Sequence, residues 1–228
     1  MERIVEILSG LAGIPSPAGM TGDAIAFLQD TAAAAGIRTR RTNKGGLLAG
    51  DLDTPDLVVS GHVDTLGAMV SGIKADGTLS FSSIGGLVLP SFEAEYVTVF
   101  GAQDRRWRGT LLLNEPAAHM NRDAGSTERK QDNMHIRLDA EVATKGNTEA
   151  LGVAVGDFVC FDPRFELTDT GFVKSRFLDD KAGCACMLDA LLALGTDAVT
   201  AARACFFFTN YEKVGHGTSA GVPHSCSR

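Results

Sequence analysis

Apolar and polar positions alternate at helical spacing at both ends of the chain and at strand spacing between them. Residues 2 to 12 form a short predicted helix, with Gly13 as its stop and Pro15 and Pro17 just beyond. Thr21 is placed to cap a second helix, with Asp23 favourable for the dipole in its first turn. Its apolar residues Ile25, Phe27 and Leu28 lead into an alanine run and to Gly36, a glycine suited to end a helix. Residues 37–41 and 47–49 flank Asn43-Lys44-Gly45-Gly46, a hairpin signal. The run Leu57-Val58-Val59-Ser60-Gly61-His62-Val63-Asp64 reads as a buried strand closed by a glycine, a histidine and an acid.

After Asp64 the period shortens. Residues 68–73 and 78–81 flank Ala75-Asp76-Gly77, a second hairpin signal. Further β-like runs fall at 95–100, 109–113, 134–138 and 157–161, and 164–168 and 172–174 flank a turn at Asp169-Thr170-Gly171. Many short strands with Gly and Asp turns predict a small barrel or sandwich. Residues 121–133 are polar and irregular, an exposed loop. From Asp179 the helical period returns, over residues 180–194 with Gly195 as the stop. A buried strand over 204–209 ends in Asn210-Tyr211-Glu212-Lys213 and a glycine-rich turn around His216. The pattern predicts an α/β fold with a mixed sheet, formed by residues 1–67 and 173–228 and interrupted by a β-rich insert at 68–172.

Composition narrows the function. Of 228 residues, 44% are hydrophobic and 21% charged, as in an ordinary folded protein. A net charge of -7 argues against nonspecific nucleic-acid binding, which needs a basic face. The sequence shows no apolar stretch of bilayer length and no basic, apolar leader, so neither a membrane nor a secretory signal is expected. Five cysteines without C-x-x-C spacing suit free thiols in a reducing cytoplasm.

Three polar positions stand at structural punctuation. His62 ends a strand, where open α/β sheets place their ligand sites, and Asp64 points the same way two residues on, able to orient the imidazole. Asp179 precedes a helix and Glu212 follows a strand. Carboxylates with imidazole suit divalent zinc, cobalt or manganese, Asp179 can bridge two ions, and Glu212 can take a proton from water. Plain structural roles compete with these. Asp179 and Asp180 are good first-turn helix residues, Glu212 suits a solvated loop, and His119, His135 and His224 suit the surface. Met69, Met134 and Met187 suit core filling.

With these residues in place, the chain resembles the tetrahedral (glutamyl and deblocking) aminopeptidase-like family of dinuclear metallopeptidases. The matching stretches are Ile14-Pro15-Ser16-Pro17-Ala18-Gly19, Ser60-Gly61-His62-Val63-Asp64-Thr65-Leu66-Gly67, Ile84-Gly85-Gly86, Leu178-Asp179-Asp180-Lys181-Ala182-Gly183 and Tyr211-Glu212-Lys213-Val214-Gly215-His216-Gly217. The resemblance implies a cytoplasmic aminopeptidase that releases N-terminal residues from peptides and holds two divalent ions, zinc or cobalt, per site. His62 is then a metal ligand, Asp179 the bridging ligand, Asp64 the residue orienting His62, and Glu212 the general base. The insert resembles a PDZ-like domain used in homo-oligomeric assembly, typically into dodecamers.

The chain departs from that pattern in two ways. Lys213 stands where the family has a second, metal-binding glutamate, and an ammonium has no lone pair to offer and repels cations. The tail from Pro223 to Arg228 does not resemble the family's continuation, where a further aspartate and a late histidine ligand are expected, so a truncated or frameshifted chain is expected. These departures motivate an alternative, a noncatalytic family member or fragment serving in assembly or peptide binding. Nothing in the sequence pairs carboxylates for glycoside cleavage.

Overall fold

The structure, a computed structural model, describes residues 2–222; Pro223, His224 and Cys226 of the tail lie outside the described residues. In chain order the elements are α1 (Glu2–Gly13), α2 (Gly22–Ala34), β1 (Thr39–Arg41), β2 (Leu47–Gly50), β3 (Leu57–His62), β4 (Gly67–Ile73) and β5 (Leu79–Ile84). Then come β6 (Tyr96–Phe100), β7 (Arg106–Leu113), β8 (Met134–Leu138), α3 (Lys145–Ala150), β9 (Phe158–Phe161), β10 (Glu166–Leu167), β11 (Val173–Lys174), α4 (Leu178–Ala201) and β12 (Ala204–Thr209). The chain divides into two compact units, Met1–Thr65 with Pro163–Arg228, and Leu66–Asp162.

The first unit is built on a four-stranded mixed sheet in the order β1-β2-β12-β3. The strands β1, β2 and β12 pair antiparallel, and β12 runs parallel to β3. Every residue of β12 is buried, which accounts for its unbroken apolar run. Its side chains alternate between two clusters. Phe206 and Phe208 join the main core with Leu47 and Ala49, while Cys205 and Phe207 pack with Leu48 in a smaller cluster. The main core also takes the buried faces of α1 (Leu8, Leu11), α2 (Ile25, Leu28) and α4 (Leu188, Leu191).

Four expectations for this unit are corrected. The β3 run is not buried throughout: it lies at the end of the sheet order, Leu57 is 53% exposed, and burial is complete only at Gly61 and His62. Thr21 does not cap α2 with its side chain; it is buried, and its hydroxyl accepts Asn210 Nδ2 at 3.3 Å. The last helix does not stop at Gly195, which breaks the helical geometry (φ 70°) while α4 continues to Ala201. By length and composition alone, α4 can cross a bilayer, where the sequence reading found no such stretch. Its residues Cys184, Ala185, Leu188 and Leu191 are buried in the main core, where α4 lies against α1 and β3.

The second unit is a closed barrel, β4-β5-β8-β7-β6-β9, whose neighbouring strands are all antiparallel. Alternating residues of β7 turn inward, with Gly109, Leu111 and Leu113 buried. The β4–β5 hairpin turns at Gly77 (φ 84°), a conformation that favours glycine, and Asp76 Oδ1 accepts both the N–H and the hydroxyl of Thr78. Helix α3 was not expected. It is six residues long with no apolar period, and its one sequence signal is the Thr144 cap, whose Oγ1 accepts the N–H of Asn147.

Candidate functional site

Parallel pairing of β3 and β12 puts their carboxyl ends side by side, with Thr209 opposite His62. The N-terminal segment of α4 comes in against them. Gly61 makes this approach possible, because a Cβ there would lie 2.7 Å from Asp180 Oδ2 and 2.9 Å from Met187 Sδ. Asp180 Oδ2 in turn accepts the backbone N–H of His62 at 3.2 Å. Ahead of the regular helix, Phe177 holds a positive φ of 64°, and Asp179 and Asp180 have non-helical geometry. After β12 the chain turns through Tyr211, also at positive φ (66°), and then presents Glu212. A residue at positive φ thus stands two positions before Asp179 and another directly before Glu212.

Two buried groups fasten these segments. The Asp64 carboxylate, fully buried, accepts the backbone N–H of Glu212 at 3.1 Å and that of Lys213 at 3.0 Å. Lys181, 1% exposed, donates to the carbonyls of Leu11 and Ile14 at 2.9 and 2.6 Å, tying α4 to the end of α1. The loop that follows α1 sits on the residues after β3, with Ser16 Oγ donating to Val63 O at 2.8 Å and Thr65 N–H to Ser16 O at 2.8 Å.

The four predicted residues His62, Asp64, Asp179 and Glu212 come together. His62 Nε2 lies 3.1 Å from Asp179 Oδ1 and 3.5 Å from Glu212 Oε2. Its Nδ1 is 3.0 Å from the main-chain oxygen of Asp64 and 3.5 Å from that residue's Oδ1. Asp64 therefore orients the ring chiefly through its carbonyl, and its carboxylate is committed to the Glu212–Lys213 turn. Lys213 Nζ completes the group, 2.9 Å from Asp179 Oδ2 and 3.2 Å from Glu212 Oε2.

Charge within the cluster shifts three of its members. Burial opposes a charge on His62, but hydrogen bonding to Asp64 outweighs it and raises the imidazole above its ordinary value. The hydrogen bond from Lys213 holds Asp179 below the usual carboxylate range. Lys213 is likewise raised: burial works against its charge, and the bonds to Asp179 and Glu212 prevail.

Of the other histidines, His216 is exposed in the turn after Glu212, where its N–H donates to Tyr211 O at 2.9 Å, and His119 is exposed in a loop. His135 lies on β8 in the second unit, beside Asn114 Oδ1 at 3.1 Å. Sequence reasoning missed the parts played by Asp180, Lys181 and Ser16. The spacing of Gly61 and Gly183 is the signal for Asp180, since a Cβ at either glycine would run into its carboxylate.

The expected pair of divalent ions does not fit these side chains. Among the described residues, no group of three or more His, Cys, Asp or Glu is arranged to hold a metal ion. Zinc takes four N, S or O donors, and here the two acids that face His62 Nε2 are both engaged by an ammonium.

Comparison with known proteins bears on what this site belongs to. A family model described as M42 glutamyl aminopeptidase matches residues 45–227. The chain is 40% identical over 227 residues to the candidate aminopeptidase YhfE of Bacillus subtilis (strain 168), covering 98% of this chain and 66% of that protein. It is 28% identical over 141 residues to a lysyl aminopeptidase of Pyrococcus furiosus, covering 62% of this chain and 40% of that protein. Among solved structures, a TET aminopeptidase from a marine-sediment Thaumarchaeota archaeon superposes with a TM-score of 0.81 at 20% identity, over 94% of this chain and 60% of that one. The TET1 peptidase of Pyrococcus horikoshii gives 0.79 at 22% identity, over 93% and 62%. The chain thus spans less than two thirds of the length of the curated relatives it matches here, and it shares the mixed α/β fold of these aminopeptidases.

Proposed function

The chain belongs to the M42 glutamyl aminopeptidase family, and on that premise we propose that it acts as an aminopeptidase, releasing N-terminal residues from peptides by hydrolysis. The observation that carries the reading is the convergence of His62, Asp179 and Glu212 at the carboxyl ends of two parallel strands. Each residue has a separate part in it. Glu212, its side chain 48% exposed, can accept a proton from water beside a scissile carbonyl. Asp64 is a positioning residue, which fixes both the His62 ring and the Glu212 turn. His62 and Asp179 are the residues the family resemblance assigns to metal. Divalent ions belong to the family's chemistry; zinc or cobalt, and two ions per site, are the finer expectation that Lys213 opposes.

The Pyrococcus horikoshii relative assembles into a tetrahedron or a large octahedral shell. A homo-oligomer is part of this proposal, with the Leu66–Asp162 barrel in the assembly role that the resemblance implies for the PDZ-like insert at 68–172. Exposed Val88, Tyr96 and Val155 on the barrel support that role. A cytoplasmic setting completes it, supported by the free thiols of Cys184 and Cys186.

The test uses the full chain, supplied in turn with zinc, cobalt and manganese, and a set of short peptides in free and N-acetylated forms. Mass spectrometry should show the first residue lost from the free peptides and the acetylated ones untouched. Cleavage that ignores acetylation overturns the exopeptidase reading. Peptide binding with no cleavage under any of the metals overturns the enzymatic reading and leaves the noncatalytic subunit in its place.

A further inference from the structure

We infer that Lys213 is the built-in cation of this site: its ammonium takes the place between the Asp179 and Glu212 carboxylates that one of two divalent ions would need, so the cluster accepts at most one. The inference rests on the proposed site for the identity of the cluster. Its readout is cation count rather than turnover, so the two can fail separately.

Three observations carry it. Lys213 Nζ is within hydrogen-bonding distance of both acids, at 2.9 and 3.2 Å, and both acids face the same His62 nitrogen. The backbone of Lys213 is held by its N–H to the buried Asp64 carboxylate at 3.0 Å, so the root of the side chain is fixed. Exposure separates this arrangement from an ordinary surface ion pair. The side chain of Lys213 is 13% exposed, against 79% for Asp179 and 48% for Glu212. The lysine side chain is therefore much less exposed than either carboxylate it binds.

Charge and lone pairs then decide what the cluster can hold. Two carboxylates side by side repel unless a cation sits between them, and here the cation is covalently attached. An ammonium has three donors and no lone pair, so it satisfies the acids without serving as a ligand. A divalent ion using the same two oxygens would have to displace Nζ or lie within a few ångströms of a fixed positive charge. Lys213 Nζ binds Asp179 Oδ2, while Asp179 Oδ1 lies 3.1 Å from His62 Nε2, so the ammonium engages neither of these two donors.

Divalent-cation binding to the purified chain tests this, with Co2+ and Zn2+ counted per chain by equilibrium dialysis and elemental analysis. The comparison is between the wild type, Lys213→Glu and Lys213→Gln, each checked for native circular dichroism. The wild type should hold no more than one ion per chain. Lys213→Glu should hold one more than the wild type. Lys213→Gln, which removes the charge without adding an anionic ligand, should bind Co2+ at least about tenfold more tightly than the wild type. Two ions in the wild type would overturn the inference. So would variants that fold and match the wild type in both count and affinity.

Discussion

The carboxylate of Asp64 accepts the backbone N–H of Glu212 at 3.1 Å, joining the segment after β3 to the turn after β12. The same carboxylate takes the next N–H, from Lys213, on its other oxygen. One buried acid therefore sets the position of the candidate base and of the ammonium beside it, while its own main-chain oxygen faces the His62 ring.

An Asp64→Asn substitution should disturb all three. The carboxamide has one acceptor end and one donor end, so one of the two N–H groups would face an NH2 in a fully buried place. A loss of about 1–3 kcal/mol in stability is expected, the cost of a buried donor left without its partner. Urea denaturation measures it, and an unchanged midpoint would show that the turn does not depend on this acid.

Gly61→Ala should push α4 away from β3. The new Cβ would stand 2.7 Å from Asp180 Oδ2 and 2.9 Å from Met187 Sδ, closer than real Cβ contacts allow. Overpacking of this kind costs about 1–3 kcal/mol. Because the shift also moves the Asp180 oxygen that accepts the His62 N–H, the His62 amide resonance should move in an NMR spectrum along with the loss of stability.

Lys181→Met keeps the aliphatic stem and removes the ammonium that binds the Leu11 and Ile14 carbonyls. These hydrogen bonds come from a charged donor in a buried place, and losing them should cost about 2–3 kcal/mol. Hydrogen exchange should rise at the end of α1 and in the loop after it. Exchange that rises elsewhere and not there would contradict the fastening role.

The candidate residues were legible in the sequence because each stands where one kind of element gives way to another. His62 closes a strand, Asp179 opens a helix, and Glu212 follows the apolar run of β12, so the chain's own punctuation brought them to attention. What joins them was not legible, because it depends on contacts between segments far apart in sequence. Asp180 looked like a first-turn helix residue, and its carboxylate in fact serves the His62 backbone across the cleft that Gly61 and Gly183 leave open. Thr21 looked like a cap, and tertiary packing turned its hydroxyl toward Asn210. The i and i+2 spacing sets Asp64 beside His62, with its main-chain oxygen 3.0 Å and its Oδ1 3.5 Å from Nδ1. The barrel strands were legible from alternation and turn residues, whereas α3 has too short and too polar a sequence to show a period.

The central claim is that this cluster hydrolyses peptides from the amino end with Glu212 as the base. The most direct measurement is the steady-state rate of N-terminal residue release by the whole chain and by Glu212→Gln, under the metal that best supports the wild type. The amide keeps the shape of the side chain and cannot take a proton, so kcat should fall by about 10²–10⁴ with KM little changed. A Glu212→Gln protein as fast as the wild type would contradict the claim.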